Sequence, residues 1–265
     1  MKIFLSADME GVTGTTIFDE VEKTHADYRE FQEQMTGEVA AACEGALEAG
    51  ATEVWVRDAH ESARNILASR LPRQTRLLRG WSGHPYVMMG GIDSSFAAAA
   101  MIGYHARAGA ASNPLQHTLT GKVAYIKIND AYASEFMVNT YTAALEGVPV
   151  VFVSGDAGLC EEAAALVPNL GVAAVKEGMG GATASIHPAA AVEQIKLGMA
   201  QALKRGPEKC RLQLPEHFSV EIGYKAYGAA YEKSFYPGAA LSDPYTLHFE
   251  ASNYFDVLRL FAFAF

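Results

Sequence analysis

Short apolar runs with strand character alternate with helical segments along this chain, and this alternation constrains its fold more than any other feature. We expect strands at residues 2–8, 52–58, 74–79, 96–104, 122–129, 148–156 and 170–176. We expect helices at residues 35–50, where Thr36 would cap the first turn, and at 62–70, 134–147, 158–166 and 188–205. The run at 96–104 fits a strand or a buried helix, and its GYH ending favours the strand. The pattern predicts an α/β fold with a mainly parallel sheet flanked by helices.

The composition changes at RGPEKCRLQLP, residues 205–215, which we interpret as a linker or a long loop. We therefore expect an α/β domain over residues 1–205. Residues 216–265 would form a smaller C-terminal α+β region packed on it, or belong to the same domain. The terminal stretch VLRLFAFAF is too short to span a bilayer, so we expect a buried helix or a subunit contact there.

Charge, apolar runs and cysteines exclude several classes of protein. The chain has 21 Lys and Arg against 30 Asp and Glu, a net charge of -9, and no basic cluster, so nucleic acid is not an expected partner. The apolar stretch in MKIFLSAD is too short for a signal peptide, and no run is long enough to cross a membrane. The three cysteines show no metal-binding or disulfide spacing, so we expect free thiols and a cytoplasmic location.

Three of the predicted strands end in residues that bind metal ions. The first ends in Asp8 and Glu10, the second leads to His60, and the run at 96–104 leads to His105. In open parallel sheets, binding sites lie outside the carboxyl ends of the strands, so these side chains are expected to converge. Residues i and i+2 of an extended segment point the same way, so both carboxylates can face one point.

A cluster of this kind favours a metal ion. Carboxylates that meet without a cation repel one another, and one of them is forced to hold a proton. Imidazole combined with carboxylate is a normal ligand mixture for zinc. If Asp8 bridged two ions, they would lie roughly 3.5–4 Å apart, as in two-metal hydrolases. Each residue alone also fits an ordinary cap or turn at the end of a strand.

The same residues carry a resemblance to a known family. Five blocks resemble, in this order, those of the D-aminopeptidase family, peptidase family M55: SADMEG at 6–11, DAH at 58–60, GYHAR at 103–107, IND at 128–130 and EFMVNTY at 135–141. The strand VPVVFVSGD also resembles this family. The resemblance covers about residues 1–177 and continues more loosely to the end, with residues 205–265 matching least.

The resemblance implies a metallo-aminopeptidase, a hydrolase of the peptidase class, with two zinc ions per subunit. It implies five metal ligands, of which the first touches both ions: Asp8, Glu10, His60, His105 and Glu135. His117 in LQHTL matches a catalytic histidine, although Thr118 follows it where the family typically has Ser. The resemblance also implies a ring-shaped homo-oligomer with enclosed active sites.

The sequence therefore predicts a zinc aminopeptidase that hydrolyses short peptides with a free N-terminal amine by metal-activated water. Dipeptides containing D-amino acids are the expected substrates. Two zinc ions carry four positive charges against three carboxylates, and the surplus suits a bound hydroxide. His117 would transfer a proton or contact the developing oxyanion.

Three other interpretations stay open. The same site could serve an L-specific or broad-specificity aminopeptidase. It could belong to a two-metal hydrolase of another amide or of a phosphoester, for which Arg57 and Arg107 are available as cationic groups. A non-catalytic, metal-stabilised peptide-binding assembly would keep the ligands but would not need His117.

Several other polar residues are predicted to have structural roles. His84 and His187 each lie beside a proline and are expected at the surface. Asp58 would support a metal-bound histidine or cap a turn. The residues ND at 129–130 are expected to form a turn. The glycines of GMGG at 178–181 are expected to form a flexible loop.

Overall fold

The computed structural model describes all residues from 1 to 265. The chain forms twelve strands: β1 (Lys2–Ala7), β2 (Glu53–Asp58), β3 (Thr75–Leu78), β4 (Ala98–Tyr104), β5 (Val123–Ile128), β6 (Ala131–Tyr132), β7 (Val150–Asp156), β8 (Gly171–Met179), β9 (Ala182–Ser185), β10 (Phe218–Tyr224), β11 (Ala239–Asp243) and β12 (Thr246–Ala251). It also forms six α-helices: α1 (Tyr28–Glu48), α2 (Glu135–Leu145), α3 (Ala157–Leu166), α4 (Pro188–Lys204), α5 (Tyr227–Lys233) and α6 (Tyr254–Ala264).

The larger sheet brings together the strand ends that the sequence singles out. Its strand order is β3-β2-β1-β4-β7-β8-β9. All neighbouring strands are parallel except β8 and β9, which form an antiparallel pair. Because β1 lies between β2 and β4, the carboxyl ends of these three strands are adjacent. The prediction of a mainly parallel α/β sheet is confirmed.

Helices pack against this sheet in two pairs. Helices α1 and α4 pack closely on each other, since a Cβ atom at Gly45 would lie 2.3 Å from the carbonyl oxygen of Lys196. Helices α2 and α3 form the second pair; α2 also contacts β4, and α3 contacts β7 and β8. This arrangement covers the sheet and leaves the carboxyl ends of its central strands available for a site.

A smaller antiparallel sheet forms the second part of the molecule. Its order is β11-β12-β10-β5-β6, and helices α5 and α6 pack on it. The predicted smaller α+β part is therefore present, but β5 and β6 come from the middle of the chain. The segment at 205–215 contains one 3-10 turn, Pro207–Cys210. The division of the chain into residues 1–205 and 216–265 stays a proposal.

Helix α2 belongs to the hydrophobic cores of both sheets. Phe136 packs in the core of the larger sheet, whereas Met137 and Tyr141 pack in the core of the smaller one. The hydroxyl of Ser134 caps the helix by accepting the N–H of Met137 at 3.2 Å. Glu135 is therefore the first residue of a helix that is held between the two sheets.

The prediction of a helix at 62–70 is wrong. The carboxylate of Asp58 accepts the backbone N–H groups of Asn65 at 2.5 Å and Ile66 at 2.8 Å. These bonds fold the segment into a loop, and only a short 3-10 turn, Ala68–Arg70, follows. The Asp58 carboxylate thus accepts the N–H groups that the carbonyl groups of a helix would otherwise accept.

Two other local predictions also differ from the structure. Helix α1 begins at Tyr28, and Thr36 lies inside it with its hydroxyl donating to the carbonyl of Gln32, so Thr36 is not the cap. Residues 178–181 do not form a flexible loop, because β8 and β9 pair across them with Gly180 in the turn at φ 62°.

Three further local expectations agree with the structure. VLRLFAFAF lies almost entirely in α6, in which Val257 and Leu260 are buried and Phe263 is exposed. The residues at 129–130 form the turn between β5 and β6. All three cysteines are free and buried. No helix is both long enough and apolar enough to cross a membrane.

Gly11 permits a very close approach of two backbone segments beside the strand ends. Its N–H donates to the carbonyl of Gly103 at 2.8 Å. A Cβ atom at position 11 would lie 1.7 Å from the carbonyl oxygen of Tyr104, which is backbone and cannot move aside. Position 11 therefore requires glycine if the chain after β1 is to pack against the end of β4.

We expect Gly11→Ala to lower the free energy of unfolding by about 2–4 kcal/mol, because the added methyl group forces these two segments apart. Urea denaturation measures this change. Gly228→Ala in α5 is the matched control, since nothing lies within 4 Å of the added atom there. It should be neutral or stabilising by about 1 kcal/mol. Equal losses in both variants would contradict the packing argument.

Candidate active site

Asp8 and Glu10 lie just beyond β1 with His60 between them. The Nδ1 atom of His60 is 3.3 Å from Oδ1 of Asp8 and 3.0 Å from Oε2 of Glu10. His60 reaches this position because it follows β2, the parallel neighbour of β1. The predicted convergence of the first two strand ends is therefore present in the structure.

His105 extends the cluster from the other side of Asp8. Its Nε2 atom is 3.4 Å from Oδ2 of Asp8 and 3.6 Å from Oε2 of Glu135. His105 follows β4, and Glu135 is brought in by the first turn of α2. The two carboxylate oxygens of Asp8 thus face two different histidines.

Backbone carbonyls orient all three imidazoles near this cluster. The His60 Nε2 atom lies 2.8 Å from the carbonyl of Val21, and the His105 Nδ1 atom lies 2.9 Å from that of Ala106. The His117 Nδ1 atom lies 2.9 Å from the carbonyl of Leu115. A carbonyl only accepts, so these nitrogens carry the proton in a neutral ring. The opposite nitrogen, with its lone pair, faces the carboxylates, as a metal-binding histidine requires.

The donor atoms are buried and lack ordinary hydrogen-bond partners. Asp8, Glu10, His60, His105 and Glu135 are each at most 5% exposed. Oδ2 of Asp8, Oε2 of Glu10 and Nε2 of His105 have no hydrogen-bond partner within the protein. Buried polar atoms are costly when they are left unpaired, so the cluster fits residues that bind a cation.

The electrostatics of the cluster agree with this interpretation. Burial raises the pKa of Asp8 well above its usual range, and the charge of Glu10 raises it further. Burial lowers the pKa of His105, but the charges of Glu135, Asp8 and Glu10 outweigh this effect and raise that pKa to about 10. The pKa of His60 is raised well above its usual value, because Glu10 and Asp8 outweigh burial. The carboxylates therefore strongly stabilise a positive charge within the cluster.

His117 lies at the open side of the cluster. Its ring stacks on that of His105 with 4.3 Å between the centroids, and its Nε2 atom is 3.6 Å from Oε1 of Glu135. The hydroxyl of Thr118 accepts the N–H of Ala108 and donates to a backbone carbonyl. The hydroxyl at position 118 therefore holds the loop that carries His117.

The residues open into a cavity of about 280 Å³. Five carboxylates line it: Asp8, Glu10, Glu22, Glu61 and Glu135. Phe18, Trp81, Val87 and Met88 contribute apolar walls. Neither lysine nor arginine lines the cavity. The site therefore favours a cationic substrate group and offers no cationic partner for a phosphate.

The other predicted polar residues lie outside the cluster. The guanidinium group of Arg57 stacks on Trp81, and Arg107 pairs with Glu162 at 3.1 Å. His84 is exposed, and His187 is exposed and caps α4. Both histidines are surface residues, as expected.

Asp58 makes no hydrogen bond with the ring of His60. Its carboxylate accepts from Asn65, and the Asn65 side chain in turn donates to the carbonyl of His60 at 2.7 Å. Of the two predicted roles, the structure favours the turn-forming one.

The family model of the D-aminopeptidases, peptidase family M55, matches residues 1–263. The chain belongs to this family. A D-aminopeptidase of Bacillus subtilis (strain 168) is 32% identical over 257 residues, covering 96% of this chain and 92% of the relative. A solved structure, the Zn-dependent D-aminopeptidase DppA from Bacillus subtilis, a self-compartmentalizing protease, matches with a TM-score of 0.94 and 30% identity. That match covers 100% of this chain and 96% of the solved one.

Membership of M55 makes this chain an enzyme, a metallo-aminopeptidase of the hydrolase class. The similarity of the whole chain to DppA also confirms the α/β fold with its smaller antiparallel sheet. The resemblance seen in five short blocks thus extends over the smaller part of the molecule, where the motifs were weakest.

Lys176 supports the M55 site from behind, and no sequence motif predicts this role. It is 3% exposed, and its ammonium group donates to the carbonyl of Glu10 at 2.5 Å and to the carbonyl and hydroxyl of Thr15 at 2.6 Å. Asn113 donates to the same Glu10 carbonyl at 3.0 Å and to Asp156. Strand β8 therefore holds the backbone from which the Glu10 carboxylate extends.

We expect Lys176→Met to lower the free energy of unfolding by about 2–4 kcal/mol, since it leaves three buried acceptors without this donor. Burial lowers the pKa of Lys176 from 10.5 to about 8, so between these values the unfolded chain binds more protons than the folded one. The contribution of Lys176 to the free energy of unfolding therefore rises as the pH increases from about 8 to 10.5.

Urea denaturation of both proteins at pH 7.5, 8.5 and 9.5 measures these effects. The original chain should gain stability relative to Lys176→Met as the pH rises. Lys209→Met, at an exposed lysine, is the control and should change stability by less than about 0.5 kcal/mol. Parallel pH profiles for the original and Lys176→Met proteins would contradict the assignment.

Proposed function

We propose that this M55 member is a zinc-dependent aminopeptidase acting on short peptides with a free N-terminal amine, D-amino-acid-containing dipeptides in particular. The observation that carries the proposal is the position of Asp8, whose two oxygens face His60 and His105. Two donor sets result, Asp8–Glu10–His60 and Asp8–His105–Glu135. Within each set the ligand atoms lie within 4.8 Å of one another.

The donor chemistry supports zinc. Each set combines one imidazole with two carboxylates, a mixture that suits this ion. The fixed ring orientations and the unpartnered buried oxygens fit ligands that are held in place before the ion binds. The similar enzyme DppA is described as Zn-dependent. We therefore assign two zinc ions per subunit to Asp8, Glu10, His60, His105 and Glu135.

The chain's own groups bind the substrate and move protons. When bound, the zinc ions would polarise the scissile carbonyl and lower the pKa of a water molecule towards neutrality. The carboxylate-lined cavity attracts the ammonium group of a free N-terminus. The Nε2 atom of His117, which faces the cluster, is placed to accept a proton and to pass it to the leaving amine.

His117 also forms a donor set with Glu10 and His105. The side chain of His117 is 17% exposed, against 6% or less for the side chains of the five proposed ligands. A group that exchanges protons with solvent needs this access, whereas a ligand does not. We therefore assign proton transfer to His117.

We also propose that the chain forms a ring-shaped homo-oligomer in the cytoplasm. DppA is described as self-compartmentalizing. The smaller part of this chain exposes large aromatic side chains: Tyr227, Tyr231, Phe235, Tyr245 and Phe263. Exposed apolar groups of this size are typical of protein contacts. The three buried free thiols agree with a reducing compartment.

We expect the purified protein to bind two zinc ions per chain. Asp8→Asn should weaken the binding of both ions, because Asp8 belongs to both donor sets. Glu135→Gln should weaken one, and Glu22→Gln, which lines the cavity outside both sets, should weaken neither. Calorimetric titration and metal analysis measure these outcomes. Full occupancy in Asp8→Asn would contradict the assignment.

Zinc binding should also tighten as the pH rises from 6 to 9. Without a metal, the pKa values of His60 and His105 lie above their usual value, so these rings hold protons that zinc must displace. Raising the pH removes this competition. A heat of binding that is independent of buffer ionisation would show that no proton is released.

Turnover tests the proposed reaction directly. The zinc-loaded protein should hydrolyse D-Ala-D-Ala and should not hydrolyse its N-acetyl derivative, because acetylation removes the ammonium group. L-Ala-L-Ala tests chirality, and nitrophenyl phosphate tests the phosphoesterase alternative. Release of alanine from none of the free-amine peptides would refute the proposed function.

We expect His117→Ala to lower kcat by about 10²–10⁴-fold, the range for losing a general acid–base group, while two zinc ions remain bound. His84→Ala, at an exposed histidine outside the cavity, is the matched control and should keep normal turnover. If His117→Ala loses a zinc ion instead, His117 is a ligand. If turnover stays normal with zinc bound, the catalytic assignment is wrong.

A further inference from the structure

Trp81 is exposed at the cavity and is nevertheless held in one position. It is 43% exposed, and its indole N–H donates to the carbonyl of Glu61 at 2.7 Å. The guanidinium group of the buried Arg57 lies 4.6 Å from the ring centroid. The N–H of Gly80 also donates to the carbonyl of Ala63 at 2.8 Å. The ring is therefore ordered before any ligand binds, which lowers the entropy cost of contacting one.

The anchor of Trp81 directly follows a proposed zinc ligand. Glu61 comes after His60 in the chain. Its backbone has a φ of 44°, a conformation that residues other than glycine rarely adopt. Asn65 fixes this loop by bonding to Asp58 and to the carbonyl of His60. The indole ring is thus positioned relative to His60 through one short segment with a strained backbone.

Trp81 forms part of an apolar wall on the His60 side of the cavity. Ala59, Val87 and Met88 line the same cavity. In the proposed function, the N-terminal residue places its amine and carbonyl at the carboxylate cluster. We therefore expect its side chain to lie against this wall. The carboxylates of Glu22 and Glu61 also line the cavity and disfavour an acidic side chain there.

We propose that Trp81 is a specificity-determining residue that contacts an apolar side chain on the N-terminal residue of the substrate. This inference rests on the proposed aminopeptidase function and extends it to the choice of substrate. The enzyme should prefer N-terminal leucine or phenylalanine to aspartate or glutamate, and Trp81 should supply much of the preference for the large apolar residues.

Fluorescence tests the contact without any turnover. The chain has two tryptophans, and Trp55 packs against Phe96 and Lys2 outside the residues that line the cavity. In Trp55→Phe, Trp81 is therefore the single reporter. Titration with D-leucine should change its emission saturably, and N-acetyl-D-leucine should not. No emission change up to millimolar D-leucine, or L-leucine if the enzyme hydrolyses only L-peptides, overturns the proposal.

Kinetics test the specificity on two peptide series, D-Xaa-D-Ala and D-Ala-D-Xaa, with Xaa as Ala, Val, Leu or Phe. If the enzyme hydrolyses only L-peptides, the L-series replace them. Trp81→Ala should lower kcat/KM for Leu-Ala by about 10- to 100-fold relative to Ala-Ala, mainly through KM. Trp81→Phe should restore part of this loss, and Trp55→Phe should leave the ratios unchanged.

The outcomes separate this proposal from the proposed function. Equal losses for all N-terminal residues, or losses that follow only the second residue, overturn the assignment of Trp81 while the aminopeptidase function stands. Failure of the original protein to hydrolyse any free-amine peptide refutes the function itself. Thermal unfolding confirms that the variants are folded, and Trp81→Phe decides the case if Trp81→Ala does not fold.

Discussion

Three carboxylates buried in one cavity set the main physical constraint on this protein. Asp8, Glu10 and Glu135 lie beside two buried imidazoles at the carboxyl ends of adjacent parallel strands. Burying an ion costs several kcal/mol unless an opposite charge compensates for it. The proposed zinc ions supply this compensation from the front of the cluster, and Lys176 supplies one further cation behind it.

The surrounding backbone fixes the direction of each donor. Carbonyl groups bind the outer nitrogens of His60, His105 and His117, so their inner nitrogens face the cluster. Gly11 lets the chain leave β1 without displacing the end of β4. The orientation of the donors in the cavity is therefore set largely by main-chain contacts. These contacts depend on the fold and only weakly on the identity of neighbouring side chains.

The sequence predicted much of the central arrangement, because parallel strands place their carboxyl ends together whatever their loops do. This rule led to Asp8, Glu10, His60 and His105, and the family resemblance added Glu135 and His117. Local patterns failed where distant groups decide the structure. The loop after His60 follows the carboxylate of Asp58 and not its own helical periodicity.

Lys176 and Trp81 could not be identified from the sequence for a related reason. A lysine on β8 and a tryptophan after β3 look ordinary until the fold brings the lysine behind Glu10 and the tryptophan to the cavity. Likewise, the pairing of β5 with β10 joins segments that are far apart in the chain, and no local pattern encodes it. The second sheet therefore includes strands from the middle of the chain.

Helix α2 couples the position of one donor in the cavity to the packing of the smaller sheet. Its first residue is Glu135, its next residue is buried under the larger sheet, and Met137 is buried under the smaller one. Any shift of one sheet against the other would move a single carboxylate relative to the remaining donors. Repacking beneath α6, which contacts α2, would then change the spacing of the donor atoms without altering any donor residue.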